Sequence, residues 1–197
     1  MAQILQSLYK TLAAGLALLI IVLLVATSIT GNPIQFSHAW GSFVFRWLHV
    51  ASGVMWIGLL WYFNFVQIPS MPSIPDEQKP AISKVIAPTA LFWFRYAALA
   101  TVITGLIVAT MQGYLISALT LQPGVIAIGL GMWIALVMAF NVWFIIWPNQ
   151  KKALGIVTVE APEKAKAART AMLTSRINTL LSITMLYMMV AQQNAGL

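Results

Sequence analysis

The sequence contains no cysteine among its 197 residues. Disulfide bonds, thiolate metal sites and haem attached through a Cys-x-x-Cys-His motif are therefore excluded. Acidic residues are also scarce, since four Asp and Glu stand against 11 Lys and Arg and leave a net charge of +7. All four carboxylates fall in polar connecting stretches, so the apolar segments hold none that could relay protons.

Charge of either sign is rare, because 8% of the residues are charged and 60% are hydrophobic. A soluble domain carries about 25% charged residues, so the composition predicts an all-α integral membrane protein. No stretch is long enough for a separate soluble domain, and we expect residues 1–197 to form a single membrane domain. The positive charge then indicates membrane topology and lipid headgroup contact rather than nucleic-acid binding.

Five segments have the length and apolar character of transmembrane helices, which need about 20 mostly apolar residues. They are residues 11–29, 43–68, 89–112, 124–147 and 172–190, of which the last is the least apolar. The first is longer than the hydrophobic region of a signal peptide, so we expect it to be retained. The connection PSMPSIPDEQKP, residues 69–80, contains four prolines and predicts an extended loop.

Lys and Arg are distributed unevenly between the two ends of the predicted helices. Arg46 alone falls at one end, and the other ten of the 11 basic residues fall at the opposite end. The positive-inside rule places the basic end and the N-terminus in the cytoplasm. Five spans then put the C-terminus in the periplasm, and we expect a multi-pass protein of the bacterial inner membrane.

Small residues recur every four positions in the third and fourth predicted helices. Because close helix contact in lipid depends on small residues, these two stripes predict a tight interface between consecutive helices. The stripes are Ala97, Thr101, Gly105 and Ala109 in the third helix, and Gly131, Ala135 and Ala139 in the fourth.

Five polar residues fall in the cytoplasmic third of the predicted helices. Facing lipid would be costly for each of them, so we expect them to turn inward and hydrogen-bond to one another. Such a cluster either fixes the register of the helices or forms a polar site open to the cytoplasm. The five are Asn64, Gln67, Arg95, Asn141 and Asn178.

His49 is the one histidine inside the second predicted helix, near the non-cytoplasmic face. At 100° per residue, Ser52, Gly53 and Trp56 share its face, and Gly53 leaves a gap one turn along. Neutral imidazole is the usual protein ligand of b-type haem iron, so His49 is a candidate metal ligand and Gly53 and Trp56 are candidate cofactor-binding residues. The alternative is a histidine that only packs and hydrogen-bonds near the headgroups.

A six-coordinate haem needs a second axial ligand. His38 is a candidate if the loop over residues 31–41 folds back, and it belongs to the predicted cofactor-binding set. Three methionines in the outer halves of later helices, Met111, Met132 and Met185, are the other candidates. Trp56 and Trp133 lie near mid-span, where they either pack or form the walls of a flat cofactor pocket.

Three longer stretches resemble a known family. They are similar to the N-terminal membrane domain of the bacterial membrane-bound urate oxidase (urate hydroxylase) family. The stretches are FRWLHVASGVMWIGLLWYFNFVQIP, LFWFRYAALATVITGL, and AFNVWFIIWPNQKKALGI with the following EKAKAARTAMLTSRINTLLSITMLYM. The similarity covers Phe43 to Val190. The short pattern His49, Trp56 and Gly58 also resembles the haem-binding helix of the bacterial membrane protoporphyrinogen oxidase family.

The resemblance implies a small helical module that works beside an electron-transfer protein. Full-length urate-family members carry a C-terminal cytochrome c domain, and we expect that cytochrome to be a separate periplasmic polypeptide here. We therefore expect a membrane subunit of a respiratory-type complex, with other membrane subunits as partners, haem b at His49 and no catalysis by this chain alone. Two alternatives stay open: a purely structural accessory subunit, and a urate-oxidising membrane protein that works with a separate cytochrome c.

Overall fold

The computed structural model describes residues 2–194, which form helices and no strand. The all-helical prediction is confirmed. In chain order the helices are α1 (Ala2–Leu5), α2 (Leu8–Thr30), α3 (His38–Ser73), α4 (Lys79–Met111), α5 (Leu115–Leu119), α6 (Ile126–Ala153) and α7 (Ala161–Ala191). Four of them, α2, α3, α4 and α6, are long and apolar enough to cross a membrane.

The chain divides into two compact units, with the boundary between Gly41 and Ser42, inside α3. In the first unit, α2 buries none of its side chains and ends at Gly31. Gly31 has a φ of +64°, a left-handed conformation that glycine adopts without the penalty a Cβ would bring. The helix thus stops at the glycine that begins the Gly31-Asn32-Pro33 sequence, which is typical of a turn.

The core of the second unit lies among α3, α4, α6 and α7. Its largest fully buried apolar side chains are Trp56, Leu60, Phe94, Met138 and Val142. Many large apolar side chains on the outer faces of the same helices remain exposed. A hydrophobic exterior around a packed interior is the arrangement that a lipid environment permits.

The last helix, α7, is not among the four helices that are long and apolar enough to cross a membrane, and several of its polar residues face the interior. Ser175, Asn178 and Ser182 are all buried and form a polar seam along one face. Asn64 Nδ2 donates to Ser175 Oγ at 2.8 Å, and Trp61 Nε1 donates to Ser182 Oγ at 3.0 Å. These side-chain hydrogen bonds join α7 to α3, so the polarity of α7 serves packing between helices.

Three of the long helices contain a short π-helical stretch that ends two residues before a proline. A proline inside a helix lacks the N–H and its ring clashes with the carbonyl four residues earlier, so the helix widens locally. The stretches are Tyr62–Gln67 before Pro69, Ile82–Ile86 before Pro88, and Asn141–Ile146 before Pro148.

The residue after each of these prolines carries a hydrogen-bonding side chain that donates to a carbonyl of the π-helical stretch. Each acceptor lies three residues before the proline, beside the carbonyl that the proline cannot bond, so the side chain adds a donor where the backbone ladder is interrupted. They run from Ser70 Oγ to Val66 O (2.7 Å), from Thr89 Oγ1 to Val85 O (3.1 Å) and from Asn149 Nδ2 to Ile145 O (2.8 Å).

The extended loop predicted for residues 69–80 is wrong at both ends, because helices α3 and α4 continue through their prolines. Only residues 74–78 are non-helical. In this connection Lys79 Nζ donates to Asp76 Oδ1 at 2.6 Å. The hydrogen bond and the charge of Lys79 lower the pKa of the Asp76 carboxyl below its usual value.

The two small-residue stripes share a buried core cluster through Ala97 and Ala135, but their glycines approach other helices. A Cβ on Gly131 of α6 would lie 3.3 Å from Met188 Cβ and from the Met189 backbone nitrogen, so this stripe packs on α7. A Cβ on Gly105 of α4 would instead meet the ring of His49 on α3. Both glycines permit a close approach, but to helices other than the ones expected.

Gly129 in α6 offers a test of this close packing. A methyl group there would overlap the carbonyl oxygen of Ala118 and lie 2.8 Å from Leu121 Cδ2. We expect Gly129→Ala to lower the free energy of unfolding by about 1–3 kcal/mol, because a backbone carbonyl cannot move aside cheaply. The measurement is thermal unfolding of the detergent-solubilised chain by circular dichroism.

Gly15→Ala is the matched control, since nothing lies within 4 Å of a Cβ at Gly15. Removing this helical glycine should leave stability unchanged or raise it slightly. Equal melting temperatures for the two variants would contradict the packing described for Gly129.

Candidate functional site

A cavity of about 630 Å³ lies in the second unit among α3, α4, α6 and α7. Small-molecule and cofactor sites typically measure about 300–1,000 Å³ and are mostly apolar, with a few polar groups. This cavity has that character, and its walls include His49, Trp56, Tyr114, Met132 and Met185.

His49 is half-buried in this wall and is held by a backbone hydrogen bond. Its Nδ1 lies 2.8 Å from the carbonyl oxygen of Thr101. Because a carbonyl only accepts, Nδ1 carries the proton and donates it, and Nε2 is the nitrogen with a free lone pair in the neutral ring. No residue in the range 2–194 forms a hydrogen bond with Nε2. Metal-binding histidines are commonly oriented by a bond of this kind from the second ring nitrogen.

The space for the ring comes from Gly105 rather than from Gly53. A Cβ on Gly105 would lie 2.8 Å from His49 Cε1 and 3.0 Å from Nδ1, whereas a Cβ on Gly53 would make an ordinary 3.9 Å contact with Thr101 Cγ2. Both glycines line the cavity. The sequence pattern indicated only helix packing for Gly105, and no local pattern linked it to His49.

Three further polar groups line the cavity. The indole N–H of Trp56 is fully buried and has no hydrogen-bond partner within residues 2–194. Burial raises the pKa of the Tyr114 phenol, with a smaller opposing effect from Arg46, so the phenol stays protonated at neutral pH. Arg46 Nη1 donates to Gln193 Oε1 at 3.2 Å. A bound molecule would therefore meet hydrogen-bond donors in otherwise apolar walls.

The candidates for a second axial ligand fall in different places. Met132 and Met185 line the same cavity as His49, whereas Met111 is not among its lining residues. His38 begins α3, eleven positions before His49 on the same helix, which corresponds to an axial rise of about 16 Å.

The two mid-span tryptophans also differ. Trp56 is fully buried in the cavity wall, as expected for a packing residue or pocket wall. Trp133 is 48% exposed, and its Nε1 donates to the Leu119 carbonyl at 3.0 Å. Trp133 is therefore not part of the candidate site.

Two of the five predicted polar residues bond directly to each other. Asn141 Nδ2 donates to Asn178 Oδ1 at 2.8 Å, and Asn178 Nδ2 donates to the Met138 carbonyl at 2.9 Å. Asn64 reaches α7 through Ser175 instead. The remaining members are joined to none of these by a direct hydrogen bond within the described range, so the predicted single cluster is in fact a set of separate contacts.

Several buried polar atoms of this region have no hydrogen-bond partner within residues 2–194. They are Asn64 Oδ1, Gln67 Oε1, Arg95 Nε, Arg95 Nη1 and Trp143 Nε1. Buried polar groups without partners are uncommon and usually indicate a bound water, ion or ligand.

Within the same range no three His, Cys, Asp or Glu side chains lie close enough to hold a metal ion. A macrocycle supplies four of the iron ligands of haem and needs only one or two axial ligands from the protein. His49, with a bound Nδ1 and an available Nε2, fits the axial position.

Four helices of membrane-crossing length and a largely apolar cavity between helices agree with a helical membrane protein that has a candidate ligand site. Residues 115–195 match the family model described as urate oxidase N-terminal, and the chain thus carries a urate oxidase N-terminal-like domain over these residues. The resemblance stated from the sequence is confirmed there. The match begins after His49 and does not include residues 43–114. The chain has no significant match to a curated protein or to a solved structure.

Gly105→Ala tests the placement of the His49 ring. The added methyl group would displace the ring from its contact with Gly105 and break the Nδ1 bond to Thr101. We expect loss of the slowly exchanging Nδ1–H signal of His49 in nitrogen-labelled protein and a fall in stability of about 1–3 kcal/mol.

The matched control is Gly53→Ala, which adds the same methyl group to another wall of the cavity at an ordinary contact distance. It should preserve the Nδ1–H signal. A Gly105→Ala spectrum identical to that of the wild type would contradict the geometry described for His49.

Proposed function

We propose that this chain is a membrane subunit of an electron-transfer assembly and that His49 binds haem b in the cavity. The observation that carries the proposal is the half-buried imidazole in the wall of an apolar cavity of about 630 Å³. Its Nδ1 bonds to Thr101, and its Nε2 has no hydrogen-bond partner within residues 2–194. Haem bound there would supply one-electron transfer.

The other residues of the cavity support this assignment. Its apolar walls suit a macrocycle, and Arg46 supplies a positive charge for the carboxylates of the group. Met132 and Met185 line the cavity and are the candidates for a second axial ligand. The unpartnered indole N–H of Trp56 is a further donor for a polar edge of the bound molecule.

We also propose that α7 crosses the membrane as a fifth span of a bacterial inner-membrane protein, with a cytoplasmic N-terminus and a periplasmic C-terminus. Two observations support this topology. The residues that lower the hydropathy of α7 include Ser175, Asn178 and Ser182, which are buried against neighbouring helices rather than exposed to lipid. The bond from Arg46 to Gln193 places the isolated basic residue at the same end as the C-terminal end of α7.

The haem assignment predicts a b-type spectrum that depends on His49. The full chain, purified from haem-replete cells, should give the pyridine haemochrome of protohaem, and His49→Ala should lose most of it. His38→Ala is the control and should retain it, because His38 lies eleven positions away along α3. A haem-free wild-type preparation would end the assignment, and the chain would then be the purely structural subunit considered above.

The axial methionines can be tested separately. If one of them ligates the iron, Met132→Leu or Met185→Leu should lower the reduction potential while leaving the haem content similar, because thioether ligation raises the potential. An unchanged potential in both variants would show that neither methionine is a ligand.

The family match favours one further candidate function, oxidation of urate with electrons passed to a separate cytochrome c. Membranes that contain this chain should then reduce added cytochrome c when urate is supplied, and matched membranes without it should not. No urate consumption by the membranes would remove this candidate without affecting the haem proposal.

A further inference from the structure

Arg95 is a buried cation without a counter-ion in the part of the chain that the structure describes. Its side chain is 8% exposed, and Nε and Nη1 have no hydrogen-bond partner within residues 2–194. The ion pairs in that range join Lys79 to Asp76 and Lys152 to Glu163, and neither involves Arg95. An unpaired buried charge is strongly destabilising, so a fold that keeps Arg95 in this position indicates a partner from outside the chain.

The surroundings of Arg95 contain donors and cations. The Arg95 guanidinium carbon lies 3.3 Å from the centroid of the Trp147 ring, and Lys151 Nζ lies 5.7 Å from the same centroid. Trp143, whose centroid lies 6.0 Å from the guanidinium carbon, has a buried Nε1 without a partner. Stacking on Trp147 occupies a face of the guanidinium and leaves its in-plane N–H groups for a ligand.

A set of donors with two positive charges suits a ligand that has several acceptor oxygens and a negative charge. Arginine recognises carboxylate and phosphate oxygens through paired N–H groups, and basic pockets between membrane helices bind acidic lipid headgroups. Lys151 lies in the last turn of α6, one helical turn beyond Trp147, at the end that we assign to the cytoplasm.

We propose that Arg95, Lys151 and Trp143 form an oxyanion site for a phosphate group, either the phosphate of an acidic phospholipid or free phosphate. Trp147 holds the guanidinium in orientation from one side. The site is separate from the His49 cavity, whose walls contain none of these four residues, and it does not depend on haem binding.

The test is to measure the melting temperature of the detergent-solubilised full chain under three conditions. The first is mixed micelles with phosphatidylglycerol, the second is mixed micelles with phosphatidylcholine, and the third is sodium phosphate against sodium chloride of equal ionic strength. We expect phosphatidylglycerol to raise the melting temperature by on the order of 5 °C, as a ligand that binds only the folded state does. A rise with sodium phosphate alone would instead identify free phosphate as the occupant.

The variant that carries the test is Arg95→Gln, which should lose the rise. Arg176→Gln is the matched control, because Arg176 is exposed on α7 and its loss removes the same charge. If Arg95→Gln does not fold, Arg95→Lys keeps the charge but removes the paired donors and should show at most half the rise, as should Lys151→Gln. No rise in the wild type with either phosphate source, or an undiminished rise in the Arg95 variants, would overturn the proposal.

Discussion

The arrangement of the second unit depends on how three helices accommodate proline in an apolar environment. Each of Pro69, Pro88 and Pro148 follows a π-helical stretch, and the next side chain in the sequence bonds to a carbonyl of that stretch. A π-helical turn adds one residue to the helix and rotates the remainder of the helix by about 100°. The faces of α3, α4 and α6 at the basic end are therefore set by these prolines, including the face that carries Trp147 towards Arg95.

The existence of the long helices could be predicted from the sequence, because runs of apolar residues of this length have few alternatives. Their ends could not. Proline is normally a helix breaker, which predicts a loop over residues 69–80, but the π-helical turns and the side-chain bonds from Ser70 and Thr89 let the helices continue. For α7 the residues that lower the hydropathy include Ser175, Asn178 and Ser182, and only the packed structure shows that these three are buried.

The candidate site was predictable only where its residues lie on one regular helical segment. His49, Gly53 and Trp56 precede the π-helical stretch of α3, so extrapolation at 100° per residue correctly placed all three on the cavity wall. Gly105, Met132 and Met185 reach that wall from other helices, and no local pattern in one sequence specifies such contacts. Asn64, Gln67 and Asn141 lie within π-helical stretches, where the regular periodicity fails. Of the five predicted polar residues, only Asn141 and Asn178 bond directly to each other.

The acceptor that orients His49 is a main-chain oxygen, which has a consequence for how this protein tolerates change. Replacing the side chain at position 101 leaves the carbonyl in place, so the protonated nitrogen of the imidazole is insensitive to most substitutions along α4. The bond that fixes the tautomer depends on the distance between α3 and α4, and Gly105 is the position that permits their close approach at His49. The hydrogen bond that orients His49 therefore tolerates most side-chain substitutions along α4. It is sensitive to substitution of Gly105, which has no side chain.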